Sequence, residues 1–430
     1  MIARHRPRGF TLIELMVVIA VIGLLFALVV LLIPSRVGRI AARRTQCINN
    51  MRVLGLGLQQ YLNLHGVFPN AGTYGEDPAA LASGDPKDSV INDAFNGQFG
   101  RVRPGSPGVG PLRGWVVDIL PYISGAPLYN EFNFGRPYFD RGRPGDDPTR
   151  PTNWVISSTA FDVLTCPDDP TLVNGAGNLS YVANGGFSLW HAPGHAYGWT
   201  GTPTGGTFGP ALDWGQAVST RTGVMFLGTH TGNAPWDVLT AMPAIVDGAS
   251  NTLLLSENTR AGASPGNAYS GGTPTNWACP HPNFVMFLGS DDVCTLGARS
   301  GINCSTVGDL SPATGPRTGW IRANPVGTSE AINSATNRTA EGASPFPNSN
   351  HPGGIVVVMC DGSAKFISQA IDGEVWAKLI TPAGGVLPPS YRQLPLNPAA
   401  NPVPGSSSPV PGNLPVPGGK ILTPGPTGDR

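Results

Sequence analysis

The feature that most constrains this chain is an uninterrupted apolar run near its start. Residues 10–33 read FTLIELMVVIAVIGLLFALVVLLI, with Glu14 as the single charge. As a helix this run extends about 36 Å, enough to cross a hydrocarbon core of about 30 Å. A short basic flank precedes it, with Arg4, His5, Arg6 and Arg8 ahead of Gly9. A secretory signal peptide has a shorter apolar core that ends in small residues. Here Pro34-Ser35-Arg36 follows instead, with no A-x-A site. An ordinary membrane anchor explains the length but not Glu14, because a carboxylate near mid-bilayer costs about 2–3 kcal/mol. Arg36, Arg39, Arg43 and Arg44 follow the run, so charge alone does not orient it.

Beyond Pro34 the pattern stays helical. Val37, Ile40, Ala41, Cys47, Ile48, Met51, Leu54, Leu58, Tyr61 and Leu62 recur at three- and four-residue steps. The arginines fall largely on other faces and read as solvated, some of them near anionic lipid headgroups. Gly55 and Gly57 weaken the helix by up to about 1 kcal/mol each. Pro34 kinks or loosens the rod, and the helix ends near Leu64-His65-Gly66. Residues 34–64 are therefore an amphipathic continuation that packs on a head domain. If unbroken, residues 10–64 make a rod of roughly 80 Å.

The remainder has a different texture. The chain carries 58 Gly and 44 Pro, which predicts loops rather than helical bundles over residues 65–385. Candidate short elements are Gly114–Tyr122, Phe161–Thr165, Ser180–Ala183, Gly223–Leu227, Thr252–Ser256, Ile355–Cys360 and Ala364–Ser368, with WVVDIL compatible with strand or helix. The clearest local signal is HPGGIVVVMCDGSAKFIS. Asp361-Gly362 between two apolar runs predicts a hairpin with a type I′ turn, positive in φ at both residues. Residues 386–430 are Pro-rich without apolar period and read as an extended, disordered tail. The expected class is α+β: a long N-terminal helix packed on a loop-rich antiparallel sheet.

Formal net charge is zero, and no compact basic patch with interleaved aromatics appears, which argues against nucleic acid as a partner. Six cysteines are too sparse for a disulfide scaffold, but Cys279, Cys294 and Cys304 share one polar stretch where a local bridge is expected. Cys279-Pro-His281 superficially resembles zinc ligation. His191 and His195 stand four apart, but Pro193-Gly194 between them opposes a helix that would align them. No H-E-x-x-H, G-x-S-x-G or P-loop occurs at a sensible position, so no catalytic residue is assigned and the chain is not read as an enzyme. Acids that can meet His351 are Asp168-Asp169, Asp247, Glu257 and Asp361, and a hydrogen bond from His351 to a neighbouring loop is expected. Loop oxygens in SDD (290–292) and CPDDP (166–170) can supply a structural Ca²⁺, without EF-hand spacing. Otherwise no cofactor or metal is implied.

RGFTLIELMVVIAVIGLL resembles the prepilin cleavage/methylation motif at nearly every position. The resemblance implies cleavage between Gly9 and Phe10 by a prepilin peptidase and N-methylation of Phe10, so residues 1–9 are a leader and the apolar helix is kept. It also implies that Glu14, on the same helix face as Phe10, pairs with a cleaved amine in assembly with other pilin-like subunits. His351, nine residues, then Asp361-Gly362 matches an H-X9-DG motif and resembles the prepilin-like family known as domain of unknown function 1559. GWVVDILPYI (114–123), VLTCPDDP (163–170), SYVANGG (180–186), IVDGASNTLLLSE (245–257) and VWAKLITPAGG (375–385) follow in family order. The implied protein is a single-pass inner-membrane subunit of a type IV pilus or secretion pseudopilus, in contact with lipid. Its N-terminus is cytoplasmic and its head periplasmic or cell-surface. The alternative is a monomeric anchored protein whose head serves adhesion or carbohydrate binding. Glu14→Ala separates the two.

Overall fold

The computed structural model describes residues 10–32, 36–100, 102, 108–188, 190–192, 195–197, 216–290, 320, 323–324, 327–328, 330–334, 340–387 and 393. Helix α1 runs Leu12–Leu32 and α2 runs Arg36–His65. Residues 33–35, including the expected kink at Pro34, lie outside the described residues, as do Cys294 and Cys304. The side chains of α1 are described through residue 27, and every one of them is exposed. Among the described residues, no helix is long and apolar enough to cross a membrane.

The head is built on a five-stranded sheet ordered β10-β9-β7-β3-β8. Its strands are β3 (Tyr181–Asn184), β7 (Leu253–Glu257), β8 (Met286–Phe287), β9 (Gly354–Met359) and β10 (Ala364–Ser368). A second sheet has the order β2-β1-β6, with β1 (Gly72–Gly75), β2 (Gly110–Gly114) and β6 (Leu227–Thr229). β4 (Trp190–Ala192) and β5 (His195–Tyr197) pair as a separate ribbon. The expected antiparallel sheet needs one correction. β3 pairs β8 in parallel, and β1 pairs β6 in parallel. The chain between these parallel neighbours, residues 185–285 and 76–226, carries other strands and helices and is long enough for the crossover that parallel pairing demands.

β7 and β9 lie in the middle of the sheet and are buried throughout. A β-branched run such as Ile355–Val358 suits a strand covered on both faces. WVVDIL resolves as helix: Trp115–Ile119, followed by a 3-10 turn over Leu120–Ile123. Phe161–Thr165 holds a 3-10 turn, not a strand. The helix Gly373–Ile380 docks where Asn184 Nδ2 donates to the carbonyls of Leu253 and Ile380, at 2.8 and 2.7 Å. The head also runs past residue 385. Leu387 is fully buried, and Gln393 accepts from Thr381 Oγ1 at 2.7 Å while its N–H reaches the Gly384 carbonyl at 2.9 Å.

α2 is where the rod meets the head. Cys47, Met51, Leu54, Leu58, Tyr61 and Leu62 are buried, as the periodicity predicts, but Ile40 and Ala41 are exposed. Gly55 and Gly57 allow the close approach. A Cβ on Gly55 would sit 2.7 Å from Val358 Cγ1 on β9, and one on Gly57 2.6 Å from Ile123 Cγ2. Two of the arginines also face the head: Arg44 stacks over the Phe366 ring at 4.7 Å, and Arg43 pairs with Asp168 at 3.1 Å.

Candidate functional site: a histidine between two carboxylates and a disulfide

Four segments converge beneath α2. α2 supplies Cys47, and the CPDDP loop supplies Cys166 and Asp168. Glu257 ends β7, and His351 stands in the turn before β9. Cys47 and Cys166 form a disulfide with Cα atoms 5.1 Å apart. Of the cysteines expected to form a local bridge, Cys279 is a buried free thiol that burial pushes up to about 12, and Cys294 and Cys304 lie outside the described residues. A bridge across 119 residues removes much freedom from the unfolded chain, about 5 kcal/mol in the loop-entropy view.

His351 is fully enclosed. Its Nε2 lies 3.2 Å from Glu257 Oε1 and 3.4 Å from Cys166 Sγ, and its Nδ1 lies 3.3 Å from Asp168 Oδ2. The two carboxylate contacts are ion-pair distances, and Glu257 Oε1 and His351 Nδ1 have no well-aligned hydrogen bond. The supports of the cluster are well formed. Glu257 Oε2 accepts from Val356 N–H at 2.7 Å, and His351 N–H donates to Ser349 Oγ at 3.1 Å. Burial disfavours protonation of His351, but the neighbouring Glu257 and Asp168 carboxylates outweigh it and hold the imidazole above its ordinary value. Burial likewise raises Glu257, against the opposing pull of His351.

The expected loop partner of His351 thus includes Asp168, but the strand acid Glu257 is the closer group. Of the remaining acids, Asp169 accepts from Ser180 Oγ at 2.6 Å and Thr171 N–H at 2.9 Å, and Asp247 accepts from Gly384 N–H at 2.7 Å. Both CPDDP carboxylates are therefore spent on protein partners rather than on a shared cation. Residues 291–292 of SDD lie outside the described residues.

The second half of the H-X9-DG motif is structural. Gly362 has φ 83° and its N–H donates to Met359 O at 2.9 Å, while Met359 N–H donates to Ser363 O at 2.8 Å. Asp361 is not positive in φ, so the turn is a three-residue loop with glycine in the left-handed bulge position, not the expected type I′. Asp361 Oδ1 accepts from Ser363 N–H at 2.8 Å and fixes the turn. The same turn meets α2, where Gln59 Nε2 donates to the Cys360 carbonyl.

At the N-terminus, Glu14 has a local role that sequence reasoning missed although T-x-x-E signals it. Its carboxylate accepts from Thr11 N–H at 2.9 Å and Thr11 Oγ1 at 3.0 Å, while Glu14 N–H donates to Thr11 Oγ1 at 3.3 Å. This reciprocal pattern is a capping box that starts α1. The other sequence candidates do not converge. His191 and His195 stand on the paired antiparallel strands β4 and β5, not on one helix. His281, lowered to about 3 by burial, accepts from Asn283 N–H at the start of the helix Pro282–Val285.

The family described as Protein of unknown function (DUF1559) matches residues 36–374. The chain belongs to that family. The Prokaryotic N-terminal methylation motif matches residues 4–30. This DUF1559 protein therefore carries the N-terminus of a pilin-like prepilin substrate. No curated protein and no solved structure matches it. In this DUF1559 chain, both ends of the H-X9-DG segment sit under α2, His351 at the disulfide and Asp361-Gly362 at the hairpin.

Proposed function

We propose that this protein is a pilin-like structural subunit, cut between Gly9 and Phe10, N-methylated on Phe10, and assembled through α1 into a pilus or secretion pseudopilus. The observation that carries the reading is the surface of α1. Phe10, Leu12, Ile13, Leu24 and Phe26 are each more than two-thirds exposed, directly beside a methylation motif. A helix apolar apart from Glu14 and covered by none of the described residues calls for lipid or other helices. Inner-membrane lipid would hold it first and neighbouring subunits later, exchanging one apolar contact for another. Cleavage would create an amine at Phe10 one helical turn before Glu14, and the carboxylate would pass from its Thr11 cap to a charged partner. The Cys47–Cys166 disulfide supports a head outside the cytoplasm, where such bonds persist.

Mass spectrometry of the purified protein's N-terminus tests this. Methylated Phe10 is the expected start. A start beyond Ile33 removes the assembly helix and ends the proposal. With methyl-Phe10 present, Glu14→Ala is expected to abolish incorporation into filaments. Unchanged surface display with no filament in either form points to the anchored monomer with an adhesive head.

A further inference from the structure

The disulfide cluster contains a complete metal-ligand set. We propose that the dithiol form of this chain binds one Zn²⁺ through Cys47 Sγ, Cys166 Sγ, His351 Nε2 and Glu257 Oε1. The inference is independent of the pilin reading. These four atoms lie within 4.8 Å of one another, and all four residues are buried. A tetrahedral zinc with ordinary bond lengths requires ligand separations of about 3.3 Å between nitrogen and oxygen and about 3.6 Å between sulfur and nitrogen. The observed separations are 3.2 Å from His351 Nε2 to Glu257 Oε1 and 3.4 Å from Cys166 Sγ to Nε2. Two bonded sulfurs cannot both ligate. Opening the bond lets them move to about 3.8 Å, the sulfur–sulfur edge of the tetrahedron.

The surroundings fit a ligand role. Glu257 Oε1 is buried without a hydrogen bond, while Oε2 is pinned by Val356 N–H and so aims Oε1 into the cluster. His351 Nδ1 faces Asp168 Oδ2 at 3.3 Å, and Arg43 holds Asp168 from the other side. A carboxylate on the far imidazole nitrogen is the usual partner of a zinc-bound histidine: it keeps the proton on Nδ1 and leaves Nε2 free to ligate. Asp168 is therefore assigned as a positioning residue. The chemistry balances with a dithiol reductant. The reductant gives two electrons and two protons as it closes its own disulfide, and the Cys47–Cys166 bond opens to two thiols. Zn²⁺ then displaces the thiol protons and any proton on Nε2. Either a covalent bond joins two of the segments or a metal joins all four, never both.

The test uses the full chain in detergent, reduced without oxygen, desalted, and titrated with Co²⁺ as a spectroscopic probe and then with Zn²⁺. The expected result is one metal per chain, with thiolate-to-cobalt absorption that Zn²⁺ abolishes, and none in the oxidised chain. Asp168→Asn is expected to weaken binding ten- to a hundredfold. Cobalt absorption that persists in a Cys47→Ser/Cys166→Ser variant would place the metal on one of the other four cysteines, Cys279, Cys294, Cys304 or Cys360, and overturn the assignment. So would a folded, reduced chain that takes up no metal. If reduction alone unfolds the head, Zn²⁺ is expected to restore its circular dichroism, and failure to do so also overturns it.

Discussion

His351→Ala in the oxidised protein probes the cluster most directly. Glu257 is 1% exposed, and among the described residues its Oε1 is paired with His351 Nε2, at 3.2 Å, while Asp168 keeps Arg43. Removal of the imidazole leaves one buried carboxylate without its cation, a loss of about 3–5 kcal/mol. Unfolding entropy of about 2.1 cal/mol/K per residue over a head of roughly 320 residues converts this to a fall of about 5–7 °C in Tm. Scanning calorimetry of the oxidised chain measures it. If the missing cation is the cause, Glu257→Gln should cost little by itself and should restore most of the loss when added to His351→Ala. A Tm within about 1 °C of the parent for His351→Ala at about pH 8, where protonation of Glu257 offsets least, refutes the buried ion pair. An equal loss in the double variant assigns the effect to lost packing instead.

Three further outcomes follow from the same geometry. Burial pushes Glu76 up to about 7, so the folded chain keeps a proton that the unfolded chain releases above its ordinary value of 4.5. Stability therefore falls as pH rises from about 4.5 to about 7, by about 3 kcal/mol, and Glu76→Gln flattens that slope in urea titrations at about pH 5 and about pH 8. Gly55→Val on the packed face of α2 is expected to cost about 1–3 kcal/mol by overpacking against Val358, while Leu56→Ala on the exposed face changes the urea midpoint little. Thr11→Ala removes the capping box but leaves the Glu14 carboxylate, so filament assembly should survive it and fail in Glu14→Ala. Equal failure of both would reduce Glu14 to a helix cap.

The legible parts of this molecule were those with local causes. The period of α2 from Cys47 to Leu62 forecast its buried face, and the apolar runs at β7, β9 and β10 forecast strands. The hairpin at Asp361-Gly362 was visible, but its turn type was not: whether Asp361 enters positive φ depends on how the turn meets α2. His351 and its pool of acids were visible as residue types, yet the selection of Glu257 and Asp168 over Asp169 and Asp247 is a tertiary outcome. The Cys47–Cys166 pair, 119 residues apart, had no local signal at all. Gly55 and Gly57 looked like helix defects because their reason lies on another element, in Val358 and Ile123.

Cys47 is the first buried residue of α2 among those described, at the point where the helix leaves open surface and enters the head. Tension drawn along the rod would peel α2 from the sheet starting at that point, one turn at a time. The disulfide sits at the tip of that crack. A load from the N-terminal side is passed to the CPDDP loop through a covalent bond before any packing must yield, so rupture would require shear of the whole interface at once.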